Sequence, residues 1–388
     1  MTKKVNIGLV GYKFMGKAHS NAYRKMPMFF NTEAIPVLKA ICGRTEKAVA
    51  EAARKFGWES YETSWEKLVK RKDIDLVDIT TPNSTHKDIV LAAAAEGKDI
   101  LCEKPLAMSL QEAEDMLRAV EEAGVKHMVC FNYRKVPAIA LAKKFIDEEK
   151  LGRIYHFRAI YLQDWISDPD FPLVWRLRKE LAGSGAHGDL NSHIIDLARY
   201  LVGEFDRVIG MQETFIKKRP RLKETEDLTT GLTAEAAKEM GEVTVDDTTL
   251  FLAKFKNGAV GSFEATRFAP GRRNYQRIEI NGSKGSILFE LEDMNKLWFY
   301  SCDDPDNAQG FRRIQVTEQV HPYINAWWPP GHIIGYEHTF VHVVYDFMRA
   351  IDEEKNPSPS FRDGVECQRV MDAVEKSIRE GRWVKVKQ

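Results

Sequence analysis

Apolar and polar positions alternate with two different periods along this chain, and the change of period divides it into two parts. Over the first 130 residues, short apolar runs of strand length are separated by amphipathic or alanine-rich stretches with helical spacing. Strands that alternate with helices predict right-handed βαβ units and therefore a parallel sheet. The predicted strands are 5–10, 34–42, 75–80, 99–103 and 127–131, and the predicted helices are 19–26, 46–56, 65–70, 85–96 and 110–123.

The pattern changes after Val136. Long strand-like segments follow one another with tight turns between them, and Asn257-Gly258 is typical of a type I′ hairpin. Hairpins join antiparallel strands, so this part predicts an α+β domain with a large, open, mostly antiparallel sheet. An open face needs a cover, which predicts a homodimer or homotetramer formed through that sheet. The predicted strand segments are 153–165, 248–268, 277–291 and 296–302, and the helices 138–149, 188–201, 336–352 and 363–380. The polar stretch 217–242 is predicted as a loop, with its basic residues Lys217, Lys218, Arg219 and Arg221 in solvent.

Length and charge narrow the class of protein. A chain of 388 residues is too long for one ordinary core, so we expect two domains, 1–130 and 131–388. Lys+Arg and Asp+Glu both total 57, and this balance argues against a nucleic-acid or membrane partner. The N-terminus leads directly into a strand, which predicts no signal peptide. Five scattered cysteines without metal-binding spacing predict a reducing cytoplasm and no metal site. Cys42, Cys102 and Cys130 lie within or beside apolar runs and are predicted to be buried.

A glycine-containing turn follows the first predicted strand. Gly11 and Gly16 occupy the outer places of the dinucleotide-binding pattern G-x-G-x-x-G, and Lys13 stands where the middle glycine belongs. The helix that starts here, near Phe14 and Met15, offers unpaired N–H groups to a pyrophosphate. The structural alternative is a turn without a ligand. If the turn binds a cofactor, the first domain is a Rossmann domain. The predicted fold class is then α/β, with an N-terminal Rossmann domain followed by the α+β domain.

The end of the second strand leaves the choice of nicotinamide cofactor open. The acid that commonly binds the ribose hydroxyls is absent, and Gly43-Arg44 stands in its place. Arg44 has the chemistry to bind a 2′-phosphate or to stack on adenine, so NAD and NADP are both compatible. Lys13 either brings an ammonium to the pyrophosphate or points to solvent.

Two further motifs carry more specific information about function than the glycine turn does. Glu103-Lys104-Pro105 ends a predicted strand at the edge where doubly wound sheets bind ligands. Asp189 and His193 lie four residues apart after a glycine-rich stretch and would share one helix face. Together with the glycine turn, these motifs resemble the glucose–fructose oxidoreductase, inositol dehydrogenase and rhizopine catabolism (Gfo/Idh/MocA) family over nearly the whole chain. The stretches 14–23, 131–146 and 161–165 look closest to its branch of levoglucosan dehydrogenases and glycoside 3-dehydrogenases.

The resemblance implies an NAD(P)-dependent oxidoreductase that oxidises a secondary hydroxyl of a cyclic sugar or polyol. It implies Lys104, Asp189 and His193 as the catalytic set, with His193 as the base, because histidine has a pKa near ambient pH. Asp189 would orient the sugar or the imidazole, and Lys104 would polarise the reacting hydroxyl. Taken singly, each has a plainer alternative as a surface cation, a helix-start acid or a core histidine. The implied cofactor-binding residues are Gly11, Lys13, Phe14, Met15, Gly16, Gly43, Arg44, Thr81, Pro82, Asn83, His86, Glu103, Lys104 and Asn132.

Sugar sites combine aromatic walls with hydrogen-bonding side chains, which selects a set of candidate substrate residues. The same family contains NAD-dependent glycosidases and non-catalytic sugar-sensing regulators, and these are the two alternatives to a dehydrogenase. The loop Trp327-Trp328 either packs against the sheet or covers a site. The candidate substrate residues are Tyr133, Tyr161, Gln163, Asp164, Trp165, Trp175, Arg176 and His187.

Overall fold

The computed structural model describes residues 3–222 and 236–387, and its chain forms two compact units. The first unit contains Met1–Asn132 and Gly335–Gln368, and the second contains Tyr133–Ile334 and Arg369–Gln388. The predicted division assigned all of 131–388 to one domain. The difference arises because the helix that begins at Tyr336 packs against the first helix of the chain. Residues Gly335–Gln368 therefore belong to the first unit although they come late in the sequence.

The first unit is built on a parallel sheet of six strands in the order β3-β2-β1-β4-β5-β6. This order places β1 and β4 side by side at the point where the strand order reverses, which is where doubly wound sheets bind ligands. The predicted parallel sheet is confirmed, with one short strand added. The strands are β1 (Lys3–Val10), β2 (Ala34–Cys42), β3 (Ser60–Glu62), β4 (Leu76–Ile79), β5 (Asp99–Cys102) and β6 (His127–Val129).

The helices of this unit follow the predicted amphipathic stretches, except at the first. Helix α1 begins at Phe14 rather than at residue 19, directly after the glycine turn. Helix α5 begins as predicted, with the Ser109 hydroxyl accepting a hydrogen bond from the Glu112 N–H, and it ends at Gly124 in the left-handed conformation. The helices are α1 (Phe14–Phe29), α2 (Glu46–Phe56), α3 (Trp65–Val69), α4 (His86–Ala95) and α5 (Leu110–Ala123).

The second unit contains a nine-stranded sheet in the order β16-β15-β14-β13-β7-β12-β11-β8-β17. Its pairs are antiparallel except β7 with β12, so the predicted mostly antiparallel sheet is confirmed. The Asn257-Gly258 hairpin joins β11 to β12 as predicted. The strands of this sheet are β7 (Ile154–Leu162), β8 (Phe205–Glu213), β11 (Thr248–Phe255), β12 (Val260–Thr266), β13 (Tyr275–Gly282), β14 (Gly285–Glu290), β15 (Lys296–Ser301), β16 (Arg312–Gln315) and β17 (Val384–Lys385).

The predicted loop 217–242 is wrong where the structure describes it. Strands β9 (Lys218–Leu222) and β10 (Ala236–Glu242) form an antiparallel pair, and residues 223–235 lie outside the described part of the chain. Arg219, predicted as part of a solvated basic stretch, is fully buried. Its guanidinium donates to the carbonyl oxygens of Asp168 and Ile166, because a buried charge needs such partners.

The remaining helices are α6 (Pro137–Asp147), α7 (Lys179–Ala182), α8 (Ser192–Leu201), α9 (Tyr336–Asp352) and α10 (Phe361–Glu380). Helix α8 contacts β7 and α6 contacts β15, so these helices cover one face of the nine-stranded sheet. On β8 and β11, Met211 and Leu252 are more than half exposed. No helix among the described residues combines the length and the apolar character needed to cross a membrane. All five cysteines are free thiols, and Cys42, Cys102 and Cys130 are buried as predicted.

Candidate active site

The glycine turn between β1 and α1 is shaped by close backbone approaches. Gly11 has φ of +108°, and a Cβ atom placed on it would collide with Thr80 at the end of β4. A Cβ on Gly16 would overlap the Gly11 carbonyl oxygen, and one on Gly43 would overlap the Tyr12 ring. Only glycine fits these three positions, so the turn brings β1, β2, β4 and the start of α1 into direct contact.

The start of α1 suits an anion. Its first turn contains no acidic residue, and no side chain caps its N–H groups. Lys13 at the N-cap lies with Nζ 5.5 Å from the centre of the Tyr12 ring, a cation–π distance. Phe14 and Met15 follow in the same turn, with Phe14 exposed. Lys13 thus lies beside an aromatic ring, and its contact with a pyrophosphate stays a prediction.

Three residues that the resemblance implied as cofactor ligands have their side chains in the interior. The ring of His86 contacts the Thr81 carbonyl oxygen at 3.0 Å and those of Pro105 and Leu106 at 3.2 Å, and burial lowers its pKa. Asn132 donates to Thr339 Oγ1 at 2.9 Å. Glu103 is also buried. These side chains therefore join loops of the first unit to one another.

Glu103 belongs to a buried charged network with His19 at its centre. The His19 Nδ1 lies 2.8 Å from Asp78 Oδ2, and its Nε2 lies 2.9 Å from Glu103 Oε1. Tyr23 donates its hydroxyl hydrogen to Asp78 Oδ2 at 2.9 Å. The second Glu103 oxygen accepts the backbone N–H of Lys104 at 3.1 Å. We call His19, Tyr23, Asp78 and Glu103 the histidine network; its outer end holds the backbone of a proposed catalytic residue.

The electrostatics of the histidine network favour a charged imidazole. Burial by itself lowers the pKa of His19, but the charge and hydrogen bond of Asp78, together with the contact with Cys130, outweigh it and raise the pKa well above 6.5. Burial by itself raises the pKa of Glu103, but the hydrogen bond and charge of His19, together with the charge of Lys104 and a hydrogen bond with Cys130, outweigh it and lower the pKa. The Cys130 Sγ, His19 Nε2 and Glu103 Oε1 atoms lie within 4.8 Å of one another, a spacing that could hold a metal ion. We interpret the cluster as an ion-pair network, because each imidazole nitrogen already contacts a carboxylate.

In the second unit, Asp189 and His193 lie on one continuous helical segment. A π-helix, His187–Asn191, leads directly into α8. The Asp246 carboxylate accepts the backbone N–H groups of Gly185 at 2.7 Å and His187 at 2.8 Å. A Cβ on Gly185 would overlap the Asp246 carbonyl oxygen, so glycine is needed for this approach. Asp246 therefore fixes the start of the segment that carries both predicted catalytic residues.

Asp189 is held by a buried arginine that the sequence reading did not select. Arg267 Nη2 donates to Asp189 Oδ2 at 2.9 Å and to the Gly185 carbonyl oxygen at 3.1 Å. The Arg267 side chain is 1% exposed and that of Asp189 is 26% exposed. The guanidinium also lies 5.3 Å from the centre of the Trp165 ring. This arrangement orients the Asp189 carboxylate, which stays partly exposed.

His193 lies against two tyrosines whose hydroxyls are joined. Its ring centre is 4.4 Å from that of Tyr133 and 5.9 Å from that of Tyr161. The two hydroxyl oxygens are 2.8 Å apart, and Tyr161 Oη lies 2.7 Å from Asn274 Oδ1. Aromatic rings beside a histidine form the kind of wall on which a sugar ring can lie.

The contacts continue from Asn274 back to Arg267. Gln163 Nε2 donates to Asn274 Oδ1 at 3.0 Å, and Trp165 Nε1 donates to Gln163 Oε1 at 2.9 Å. The Trp165 ring then meets Arg267, which binds Asp189. We call this run of contacts, which begins at His193 and ends at Asp189, the side-chain ring. Its members are Tyr133, Tyr161, Gln163, Trp165, Asp189, His193, Arg267 and Asn274.

Four of the eight predicted substrate residues lie outside the side-chain ring. Asp164 binds the Gly271 N–H and pairs with Arg273, and the Arg176 guanidinium lies on the Trp175 ring at 4.3 Å. His187 is 1% exposed, and its ring contacts the Met371 carbonyl oxygen and Asn191 Nδ2. The geometry therefore gives His187 a packing role rather than a place among the exposed polar groups. Asn274 and Arg267 belong to the side-chain ring but were not predicted from the sequence.

The fold and the glycine turn define the class of the protein: a dinucleotide-binding oxidoreductase. Two family models match the chain, the "Oxidoreductase family, NAD-binding Rossmann fold" over residues 5–131 and the "GFO/IDH/MocA C-terminal domain" over residues 139–288. The chain belongs to the GFO/IDH/MocA family, and it is an NAD-dependent enzyme.

Similar proteins extend over the full chain. Levoglucosan dehydrogenase of Pseudarthrobacter phenanthrenivorans is 47% identical over 100% of this chain and 99% of its own. An oxidoreductase domain protein from Kribbella flavida is 50% identical in its crystal structure, with a TM-score of 0.94 and full coverage of both chains. A levoglucosan dehydrogenase structure in complex with NADH and levoglucosan is 46% identical, with a TM-score of 0.93 and the same coverage. The family and branch resemblance stated from the sequence is confirmed.

Proposed function

We propose that this protein oxidises a secondary hydroxyl of a pyranose or anhydrosugar of the levoglucosan type and transfers the hydride to NAD. The observation that carries the proposal is the side-chain ring, which combines a histidine, an arginine-held carboxylate, aromatic faces and neutral hydrogen-bonding groups. That combination suits a ligand with apolar ring faces and many hydroxyls. The relative at 47% identity is named for levoglucosan, which supports this choice of substrate class.

The glycine turn and the start of α1 fit NAD. The space above Gly11 and Gly16 admits no Cβ, and the first turn of α1 presents N–H groups without a competing acid. These groups would hold the pyrophosphate, and Arg44, which is exposed between β2 and α2, would lie toward the adenosine end. When bound, the nicotinamide supplies the hydride acceptor. Thr81, Pro82 and Asn83, at the end of β4, are proposed to line the same edge of the sheet.

The proposal assigns one task to each catalytic residue. His193 accepts the proton of the reacting hydroxyl as hydride leaves carbon, because a neutral imidazole is a competent base near neutral pH. Asp189, fixed by Arg267, accepts a hydrogen bond from a sugar hydroxyl and thereby orients the ring. Lys104, whose backbone N–H is fixed by Glu103, polarises the oxygen of the reacting hydroxyl through its ammonium group. The C3 hydroxyl is the proposed position of oxidation.

The first test is absorbance at 340 nm with NAD and a panel of levoglucosan, monosaccharides, inositols and simple glucosides. The proposal expects NADH formation with at least one anhydrosugar or pyranose. Lys104→Ala is expected to lower kcat by about 10²–10⁴-fold, the usual range for acid–base groups, with little change in NADH affinity. Near-normal turnover in that variant would remove Lys104 from the mechanism. Retained NAD with cleavage of a glucoside and no net NADH would instead identify a glycosidase.

We also propose that the open face of the nine-stranded sheet pairs two subunits in a cytoplasmic homo-oligomer. Ile209, Met211, Leu250 and Leu252 lie opposite one another on β8 and β11, and Met211 and Leu252 are 63% and 53% exposed. Exposed apolar patches of this kind mark interaction surfaces. Light scattering after size exclusion is expected to give a multiple of 44.4 kDa, and Leu252→Arg is expected to reduce it. A monomeric wild-type protein would reject the pairing.

A further inference from the structure

The direction of every hydrogen bond in one half of the side-chain ring follows from a single donor. The indole N–H of Trp165 can donate and cannot accept, so the atom of Gln163 that faces it at 2.9 Å must be the carbonyl oxygen Oε1. This fixes the orientation of the Gln163 amide by chemistry. Its nitrogen Nε2 therefore faces Asn274, with one N–H directed at it and one further N–H.

Asn274 is fixed in turn. Its atom 3.0 Å from Gln163 Nε2 must accept, so it is Oδ1, and its nitrogen Nδ2 lies on the other side, 3.4 Å from Tyr133 Oη. The same Oδ1 lies 2.7 Å from Tyr161 Oη. An amide oxygen has no hydrogen to give, so the Tyr161 hydroxyl must donate its single proton to Asn274.

The consequence reaches the tyrosine beside His193. Because Tyr161 donates its only hydroxyl proton to Asn274, Tyr133 must be the donor in the 2.8 Å contact between the two tyrosine hydroxyls. The Tyr133 proton is thus directed at Tyr161, and toward any further group Tyr133 Oη can only accept. The order of donation is Tyr133 to Tyr161 to Asn274 Oδ1, with Gln163 donating to the same oxygen and Asn274 Nδ2 donating to Tyr133 Oη at 3.4 Å.

We propose that Asn274 is a specificity-determining residue, because it decides which polar groups of the side-chain ring donate hydrogen bonds and which accept them. It makes Tyr133 present an acceptor, and Gln163 a donor, to the hydroxyls of a bound sugar. A matching ligand carries a hydroxyl that donates to Tyr133 and an oxygen that accepts from Gln163. The assignment to a sugar rests on the proposed function, whereas the order of donation rests only on the distances and on the donor-only indole.

Neutron diffraction from deuterated crystals tests the order of donation without any substrate. The expected map places one deuteron on Tyr133 Oη directed at Tyr161, and one on Tyr161 Oη directed at Asn274 Oδ1. A deuteron on Tyr161 Oη directed at Tyr133, or an Asn274 amide in the opposite orientation, would overturn the proposal. The result does not depend on whether the protein is a sugar dehydrogenase.

The functional consequence is tested with levoglucosan derivatives that carry fluorine in place of one hydroxyl at a time, since carbon-bound fluorine accepts but cannot donate. At the position that contacts Tyr133, fluorine is expected to lower kcat/KM of the wild-type enzyme by about tenfold, the value of one hydrogen bond. Tyr161→Phe frees the Tyr133 proton to donate, so this penalty is expected to fall at least about threefold. Asn274→Leu is expected to lessen it as well.

Tyr155→Phe is the matched control, because Tyr155 lies on the same strand as Tyr161, six residues earlier, is 48% exposed and stands outside the side-chain ring. It is expected to leave every fluorine penalty unchanged. Equal penalties in wild type and Tyr161→Phe at all positions would overturn the specificity role. A wild-type enzyme inactive on all cyclic sugars would contradict the proposed function instead, and the neutron result would still decide the order of donation.

Discussion

The histidine network of the first unit and the side-chain ring of the second differ in the charge and the solvent exposure of their polar side chains. In the network, His19, Asp78 and Glu103 are at most 5% exposed, and the imidazole contacts a carboxylate at each nitrogen. In the ring, Gln163, Trp165 and Asn274 are partly exposed and uncharged. The network is closed around its own charges, whereas the ring buries Tyr133, Tyr161, His193 and Arg267 but keeps its neutral polar groups on Gln163, Trp165 and Asn274 partly at the surface.

From this difference we predict that the side chains of the network position other groups and that those of the ring contact a ligand. Charges buried in a low dielectric must be neutralised by one another, so a network of this kind fixes backbone, here the N–H of Lys104, and has little left for a ligand. Neutral donors and acceptors at a partly exposed surface exchange partners at small cost. We therefore expect damage to the network to affect stability first, and damage to the ring to affect catalysis first.

The largest expected effect comes from His19→Ala. Removing the imidazole leaves the carboxylates of Asp78 and Glu103 buried without their positive partner, which costs about 3–5 kcal/mol of stability. The measurement is chemical denaturation of the NAD-free protein, followed by the intrinsic fluorescence of its tryptophans. The matched control is Lys72→Ala, which breaks the exposed pair with Glu96 in the same unit and is expected to cost less than about 1 kcal/mol. Equal losses in the two variants would refute the network's importance.

The pH dependence of stability is a smaller effect of the same contacts. The pKa of His19 is raised in the folded protein, so its contribution is complete below pH 6.5, the ordinary value, and is lost as the pH rises through the raised pKa. The pKa of Glu103 is lowered, so its contribution is present above pH 4.5 and is lost as the pH falls. We expect Tm to decline from neutral toward alkaline pH, and this decline to be shallower in His19→Gln. A parallel decline in both proteins would assign it to other groups.

Arg267→Met tests the one charged link of the side-chain ring. The guanidinium donates to Asp189, and the loss of a charge-assisted hydrogen bond of about 1.5–3 kcal/mol should lower kcat/KM by roughly 10–100-fold. Stability should change little in comparison, because methionine fills a buried site without a charge to desolvate. Arg267→Lys should recover part of the activity.

Arg273→Met is the control for that variant. It makes the same substitution next to Asn274, at a side chain that is 84% exposed and pairs with Asp164. We expect kcat/KM to stay within about twofold of wild type, since exposed ion pairs contribute little. If both arginine variants lost activity equally, the loss could not be assigned to the hydrogen bond between Arg267 and Asp189.

How far the sequence predicts this structure depends on the separation of the residues in contact. The strands of the parallel sheet, the helix carrying Asp189 and His193, and the Asn257-Gly258 hairpin follow from local patterns, because each is set by neighbouring residues. The network and the ring depend on contacts across long separations. His19 and Glu103 are 84 positions apart, Arg267 and Asp189 are 78 apart, and Gln163 and Asn274 are 111 apart. No local period encodes such pairs.

Local patterns also misplaced residues whose partners are distant. Arg219 looked like a solvated cation because its neighbours in sequence are charged, but carbonyl groups about 50 positions away hold it in the interior. Glu103 and His86 lie beside the motifs of a cofactor site, and the structure assigns their side chains to bonds within the first unit. Whether Glu103 and His86 also contact a cofactor stays a prediction.

The smallest expected effect concerns Arg44, which is exposed and lies outside both networks. Its guanidinium is the cation available to a 2′-phosphate, and an exposed pair of this kind is worth about 1 kcal/mol. Arg44→Ala is therefore expected to raise the KM for NADP by about fivefold and to change that for NAD by less than about twofold. Steady-state kinetics with both cofactors and one sugar measures the two changes in the same preparation. Equal changes would show that Arg44 does not read the 2′-phosphate and that the choice of NAD is set elsewhere in the turn.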